Sequence, residues 1–205
     1  LVTAEDRPDA LEPMARDLRE RFPRVRTVVH NVNTRRAAIA VGEQEHVLAG
    51  DGILEDRLGH YTFRISANSF FQTNTRGAES LYEVVGAYAA LNGTETVLDL
   101  YSGTGTIPIL LSARAKRIIG MEVVESAVAD AERNCEENEI RNCRFLAGDV
   151  RETLAGLDVR ADVLVIDPPR AGMHKDVLTE VLNRRCPRVV YVSCNPATLA
   201  RDLAE

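Results

Sequence analysis

The sequence predicts an α/β fold, a parallel sheet covered on both faces and preceded by a small α+β subdomain. Three observations carry this. From Thr96 onward, five short runs rich in Val, Ile and Leu recur: TVLDLYS, RIIGMEV, RFLAGDV, ADVLVIDPP and RVVYVSC. Between them lie stretches with helical apolar spacing, at 106–115, 125–139, 151–157 and 174–185. Such alternation specifies a parallel sheet with right-handed crossovers, whose strands are apolar throughout because both faces are buried. The first 75 residues lack that alternation. With 205 residues, 45% of them hydrophobic, the chain is long enough to bury a sizeable core.

Taken in order, residues 7–22 read as a helix with Leu11, Met14, Ala15 and Leu18 on one face, stopped by Pro23. VRTVVHNVN (25–33) and AAIAVGEQEHVL (37–48) alternate and are separated by polar residues, as in a hairpin or meander. YTFRISANSFFQTN (61–74) reads as a strand running into a loop. Residues 77–91 have the apolar period of a helix, through Ala78, Leu81, Val84, Val85 and Tyr88, and LNGTE (91–95) is a turn. The domain boundary falls near residue 75 or 92, and the first placing gives domains 1–75 and 76–205. After the fifth run only Pro196 to Glu205 remain, the start of a further helix, so the second domain is expected to be incomplete at its C-terminus.

Composition limits the partners. A net charge of −6 gives no global attraction for polyanions. A local cluster, Arg16, Arg19, Arg21, Arg24, Arg26, Arg35 and Arg36, is enough for nucleic acid. The four cysteines show neither CxxC spacing nor a histidine at metal-site spacing. They are expected to be reduced thiols of a cytoplasmic protein, with no metal. No apolar run approaches the ~18 residues of a membrane span, and the polar, acidic start is unlike a signal peptide.

The chemistry is expected at the carboxyl ends of the apolar runs. In DLYSGTGTI (99–107), Gly103 and Gly105 allow a tight turn and a close ligand at a helix N-terminus. The third small residue of a dinucleotide fingerprint is replaced by Pro108, and there is no Gly-Lys-Ser/Thr. Asp99, Glu122 and Asp149, at the ends of the first three runs, make an acidic rim suited to a sulfonium and an adenosine, which favours S-adenosylmethionine (SAM) over NAD. Each acid alone could equally cap the helix that follows it.

The fourth run ends in DPPRAG, where two prolines lock the backbone beyond Asp167. Enzymes that methylate exocyclic amines of bases stack the base on an aromatic after these prolines; here Arg170 follows. The fifth run ends in Cys194, one strand away. C5 of uracil needs such a thiol, because addition of a thiolate to C6 makes C5 nucleophilic. Cys135, Cys143 and Cys186 read as packing residues.

FFQTN (70–74), DLYSGTGTI, DPPRAG and SCNPATLARD (193–202) together resemble the RNA 5-methyluridine methyltransferase family, most nearly its bacterial 23S rRNA branch, from about Arg26 to the end. The resemblance implies a Rossmann-like SAM-dependent methyltransferase sheet, apparently truncated after strand five, and methylation of uridine C5 in RNA, 23S rRNA rather than tRNA. It implies Cys194 as the nucleophile, with Gln72, Tyr101, Thr106, Glu122, Asp149 and Asp167 holding SAM, and Asn195 and Arg170 orienting the uracil. Three departures accompany it. The family's N-terminal RNA-binding barrel and iron–sulfur cysteines have no counterpart here, Ser102 stands where a Cys is common, and the family's general-base glutamate lies beyond residue 205. Glu205 is not assigned that role. Weak SAM binding and no complete turnover are therefore expected of this chain by itself. The competing readings are an rRNA exocyclic-amine methyltransferase and a non-catalytic SAM- or RNA-binding module. Cytosine C5 methylation would require a Cys beside the strand-four prolines, and none is there.

Overall fold

A computed structural model describes residues 1–34 and 42–204. Arg35 and Arg36, the first part of the strand expected at 37–48, and Glu205 lie outside the described residues.

The five apolar runs form strands β6 (Thr96–Leu100), β7 (Arg117–Glu122), β8 (Cys143–Ala147), β9 (Val163–Ile166) and β10 (Arg188–Tyr191). They pair in parallel in the order β10-β9-β6-β7-β8. Side-chain alternation divides each strand between two cores. Val97, Ile118, Val163 and Val165 face one way, toward Ile107 and Ile109 of α3 (Thr106–Ser112) and Ala131 of α4 (Glu125–Glu137). Leu98, Leu100, Met121, Leu164 and Ile166 face the other, toward Leu154 of α5 (Val150–Gly156) and Val177 and Val181 of α6 (Lys175–Asn183). Strand order reverses at the β6–β9 boundary, so the crevice for a ligand opens at the carboxyl ends of those two strands.

Ahead of this sheet, β1 (Val2–Thr3), α1 (Pro8–Arg21), β2 (Val28–Val32) and β3 (Gln44–Ala49) come in turn, with β2 between parallel β1 and antiparallel β3. The segment at 61–74 is a strand, β5 (Tyr61–Ser66), running into a loop from residue 67, as expected. Its hairpin partner, β4 (Ile53–Leu58), was not expected from sequence. Glu55, Asp56 and Arg57 give that strand a mostly solvated surface, which hides its alternation.

The hairpin is bound to the parallel-sheet layer. Leu58, Tyr61 and Phe63 share one continuous core with Ala78, Tyr82 and Val85 of α2 (Thr75–Ala89) and with β6 and β9. That core runs across residue 75, where the domain boundary was expected. The outer edge of β5 is paired by helix side chains. The N–H groups of Thr62, Arg64 and Ser66 donate to Asn138 Oδ1 (3.0 Å), Asn134 Oδ1 (2.7 Å) and Asp130 Oδ2 (2.9 Å). Asn138 and Asn134 donate back to the Thr62 and Arg64 carbonyls at 2.7 and 3.1 Å. The match is geometric: four helix residues rise ~6 Å and two strand residues ~6.6 Å. Asn134 Nδ2 also lies 3.3 Å from the Thr104 carbonyl, so the same helix face ties β5 to the glycine loop.

Candidate active site

Pairing continues past the strand ends and fixes their tips side by side. The Asp167 N–H donates to the Leu100 carbonyl, that of Val192 to Ile166, that of Ser102 to Met121 and that of Gly148 to Glu122. The tips therefore present Tyr101 to Gly105, Glu122, Asp149, Asp167 and Cys194 along one edge.

The glycine loop is bound to the Glu122 carboxylate. Its two oxygens accept from Gly103 N–H at 3.0 Å and Val124 N–H at 2.9 Å, joining the loop to the start of α4. Gly103 has φ +52° with nothing within 4 Å of where a Cβ would stand, so the loop is open there. Gly105 is closely packed: at φ +78°, a Cβ there would meet Ala131 Cβ and Phe145 Cζ at 2.9 Å, so its missing side chain serves loop packing. Thr106 is buried, with Oγ1 3.3 Å from that of Thr104. Tyr101 holds a left-handed φ of +66°, a strain of the kind that gathers at functional sites.

Asp149 caps α5, accepting from Arg151 N–H at 2.9 Å, and pairs with the Arg151 guanidinium, which holds its carboxyl down at about 2. Tyr101 and Asp149 line a cavity of about 530 Å³ together with Val123, Pro169, Met173 and His174. Burial, then the Asp149 charge, pushes the Tyr101 hydroxyl up to about 12.

Asp99 caps nothing. It is 1% exposed, and neither carboxylate oxygen has a hydrogen-bond partner among the described residues. Burial first, then the charges of Asp167 and Glu122, push it well above the carboxylate range. A buried unpaired acid is costly unless a cation or donor meets it. Burial also raises Asp167 to about 6. A native carboxyl near 6 against ~3.9 in the unfolded chain means the folded state binds more protons between those values, so stability falls as pH rises through that window. Asp167→Asn is expected to remove this part of the fall, about 1–3 kcal/mol between pH 4.5 and 7. Urea unfolding of both proteins at those two pH values measures it.

Cys194 is exposed. Asn195 next to it caps α7 (Pro196–Leu203), accepting from Ala197 N–H at 3.1 Å and donating to the Arg170 carbonyl at 3.3 Å. The Asn195 side chain thereby ties the cysteine turn to the Pro-Pro loop, and the Arg170 side chain is exposed. Gln72 is half-buried in the loop before α2 and makes no side-chain hydrogen bond among the described residues. Phe71, its ring tilted against Phe63 with centroids 5.6 Å apart, and Ser69, donating to Asp130 at 2.8 Å, anchor that loop.

One supporting residue escaped sequence reading. Asp202 is 4% exposed and accepts from the Tyr191 hydroxyl (2.6 Å), Met173 N–H (2.9 Å) and Arg201, locking α7 onto β10 and the loop after β9. In LARD it reads as an ordinary solvated helix acid, and its burial has no local signal.

The sequence pattern of the tRNA (Uracil-5-)-methyltransferase family matches residues 9–205. An uncharacterised RNA methyltransferase of Chlorobaculum tepidum is 50% identical over 86% of the chain and 38% of its own length. Another, from Halalkalibacterium halodurans, is 44% identical over 89% of the chain and 40% of its own length. The chain thus spans about two fifths of these relatives. The crystal structure of Pyrococcus abyssi tRNA (uracil-54, C5)-methyltransferase in complex with S-adenosyl-L-homocysteine is 32% identical with a TM-score of 0.70, covering 87% of this chain and 44% of that one.

Proposed function

Since the chain belongs to the tRNA (uracil-5-)-methyltransferase family, we propose that it carries the core that methylates C5 of a uridine in RNA, using SAM and Cys194. The observation that carries this reading is the edge itself, where an exposed Cys194 follows one strand of the sheet whose central strand holds Asp99, a buried acid without a hydrogen-bond partner among the described residues. Asp99 fits a cationic ligand, and the Pyrococcus relative was crystallised with the demethylated form of SAM. When bound, SAM supplies a methyl group on a cationic sulfur.

The remaining steps belong to this chain's residues. Glu122 holds the glycine loop and accepts the ribose hydroxyls, while the cavity of Tyr101 and Asp149 takes the adenine. Gln72, Thr106 and Asp167 complete the hold on SAM, and Asp99 and Asp167 balance its positive charge. The Cys194 thiolate adds to C6, and the displaced electron pair makes C5 nucleophilic toward the methyl group. Loss of the C5 proton to a base then re-forms the C5=C6 double bond and expels the thiolate from C6. Asn195 and Arg170 orient the uracil. If the uridine lies in a folded stem or loop, it must be flipped out to reach Cys194. The four matching segments are most like the 23S rRNA branch, so 23S rRNA is the first substrate to offer, with tRNA beside it.

The test is incubation with methyl-labelled SAM and each RNA, followed by nucleoside mass spectrometry. Label on uracil C5 is expected, as a Cys194-bound adduct or as released 5-methyluridine. Label on an exocyclic amine would replace this reading with the amine one, which needs no thiol.

A further inference from the structure

Far along the chain from the glycine loop, two histidines and an aspartate converge in the β1-β2-β3 sheet. His30 of β2 and His46 of β3 are register partners, with rings stacked at 5.6 Å. Asp6, between β1 and α1, reaches them. One ring nitrogen of each histidine and one Asp6 oxygen lie within 4.8 Å of one another.

The hydrogen bonds around His30 fix its tautomer. The Thr3 hydroxyl donates its proton to the Glu5 carbonyl at 2.6 Å, so toward His30 Nε2, 2.7 Å away, it can only accept. Nε2 therefore carries the hydrogen, and the neutral ring leaves a lone pair on Nδ1. His30 is 0% exposed, and Nδ1 has no partner. His46 repeats the pattern. Its Nε2 is buried without a hydrogen-bond partner although Asp6 Oδ1 is only 2.8 Å away, so that contact is not directed as a hydrogen bond. His30 Nδ1 and His46 Nε2, both buried and without a hydrogen-bond partner among the described residues, are costly in an otherwise paired sheet.

We propose that Asp6, His30 and His46 form a binding site for one divalent transition-metal ion of the zinc type. Two imidazoles and a carboxylate are a borderline donor set that zinc accepts, leaving further positions for water. Tetrahedral ligation at ~2.0–2.1 Å places donors ~3.4 Å apart, which side-chain rotation reaches from the present spacing. Thr3 is then a positioning residue, holding the non-ligating nitrogen of His30 as metal-bound histidines usually require. The ion would join the N-terminal strand to the β2–β3 hairpin, independently of the methyl-transfer chemistry.

The test uses Zn²⁺ with a chromophoric competitor, and Co²⁺ absorption as a second readout, on the untagged protein and on His46→Gln, Asp6→Asn, Thr3→Val and Cys194→Ala. The first two side chains are partly exposed, so these variants keep the fold, which their metal-free melting temperatures check. One Zn²⁺ per chain is expected, raising the melting temperature of the wild type and of Cys194→Ala. Affinity should fall at least tenfold in His46→Gln and Asp6→Asn, and ~10–100-fold in Thr3→Val, the usual cost of losing a ligand's supporting partner. No zinc binding by the wild type, or binding that His46→Gln and Asp6→Asn leave unchanged, overturns the site.

Discussion

Cys194→Ala is expected to abolish methyl transfer to uracil C5, lowering the rate by at least ~10⁴-fold, the scale of losing an essential nucleophile. Without a thiolate at C6, C5 has no route to becoming nucleophilic toward a sulfonium, so no neighbouring group substitutes. Stability should change by less than ~0.5 kcal/mol, because Cys194 is exposed. SAM affinity should be unchanged for the same reason. Cys135→Ala is the opposing control: that thiol is buried in the core beside Ala131, so its removal should cost stability and spare the chemistry. Labelled nucleoside analysis with urea unfolding separates the two. A Cys194→Ala enzyme of near-normal rate would point to amine methylation.

Gly105→Ala is expected to destabilise the protein by about 2–5 kcal/mol, the sum of ~1–2 for a left-handed non-glycine residue and ~1–3 for overpacking. The new Cβ would stand 2.9 Å from both Ala131 and Phe145, on elements that cannot yield separately. Gly103→Ala is the informative partner. It carries the backbone penalty alone, since nothing lies within 4 Å, so its stability loss should be ~1–2 kcal/mol. Its larger effect should fall on SAM affinity, because the open face of the loop is where the ligand would approach. Urea unfolding and SAM calorimetry on both variants check this division. Equal effects of the two substitutions would mean that the loop does not pack on α4 and β8 as described.

The parallel sheet was legible because strands buried on both faces are apolar at every position, a signal that needs no tertiary context. Strand β4 was not, since ILEDRL is half solvated and its charges mask the alternation. The edge of β5 shows a deeper limit. Asp130, Asn134 and Asn138 repeat every fourth residue, which reads as an ordinary wet helix face; only the approach of a strand edge turns them into a ladder. The strand-tip residues could be found because each follows an apolar run directly. Gly105 could be found too, though its packing role depends on Phe145, which arrives from another strand. Cysteine spacing led to the expectation of no metal. The Asp6, His30 and His46 cluster has no spacing signature, since its members meet only through the register of β2 and β3.

The most direct measurement is to incubate the protein with SAM and an RNA bearing 5-fluorouridine at the target position, then seek an adduct that survives denaturation. After the thiolate adds and the methyl group transfers, C5 carries fluorine where a proton should leave, so the Cys194–C6 bond persists. A SAM-dependent adduct mapped to Cys194 by mass spectrometry, and missing in Cys194→Ala, is the predicted result. An adduct on another residue, or methylation of the same RNA bearing uridine while the 5-fluorouridine RNA gives no adduct, would contradict the assignment of Cys194 as the nucleophile.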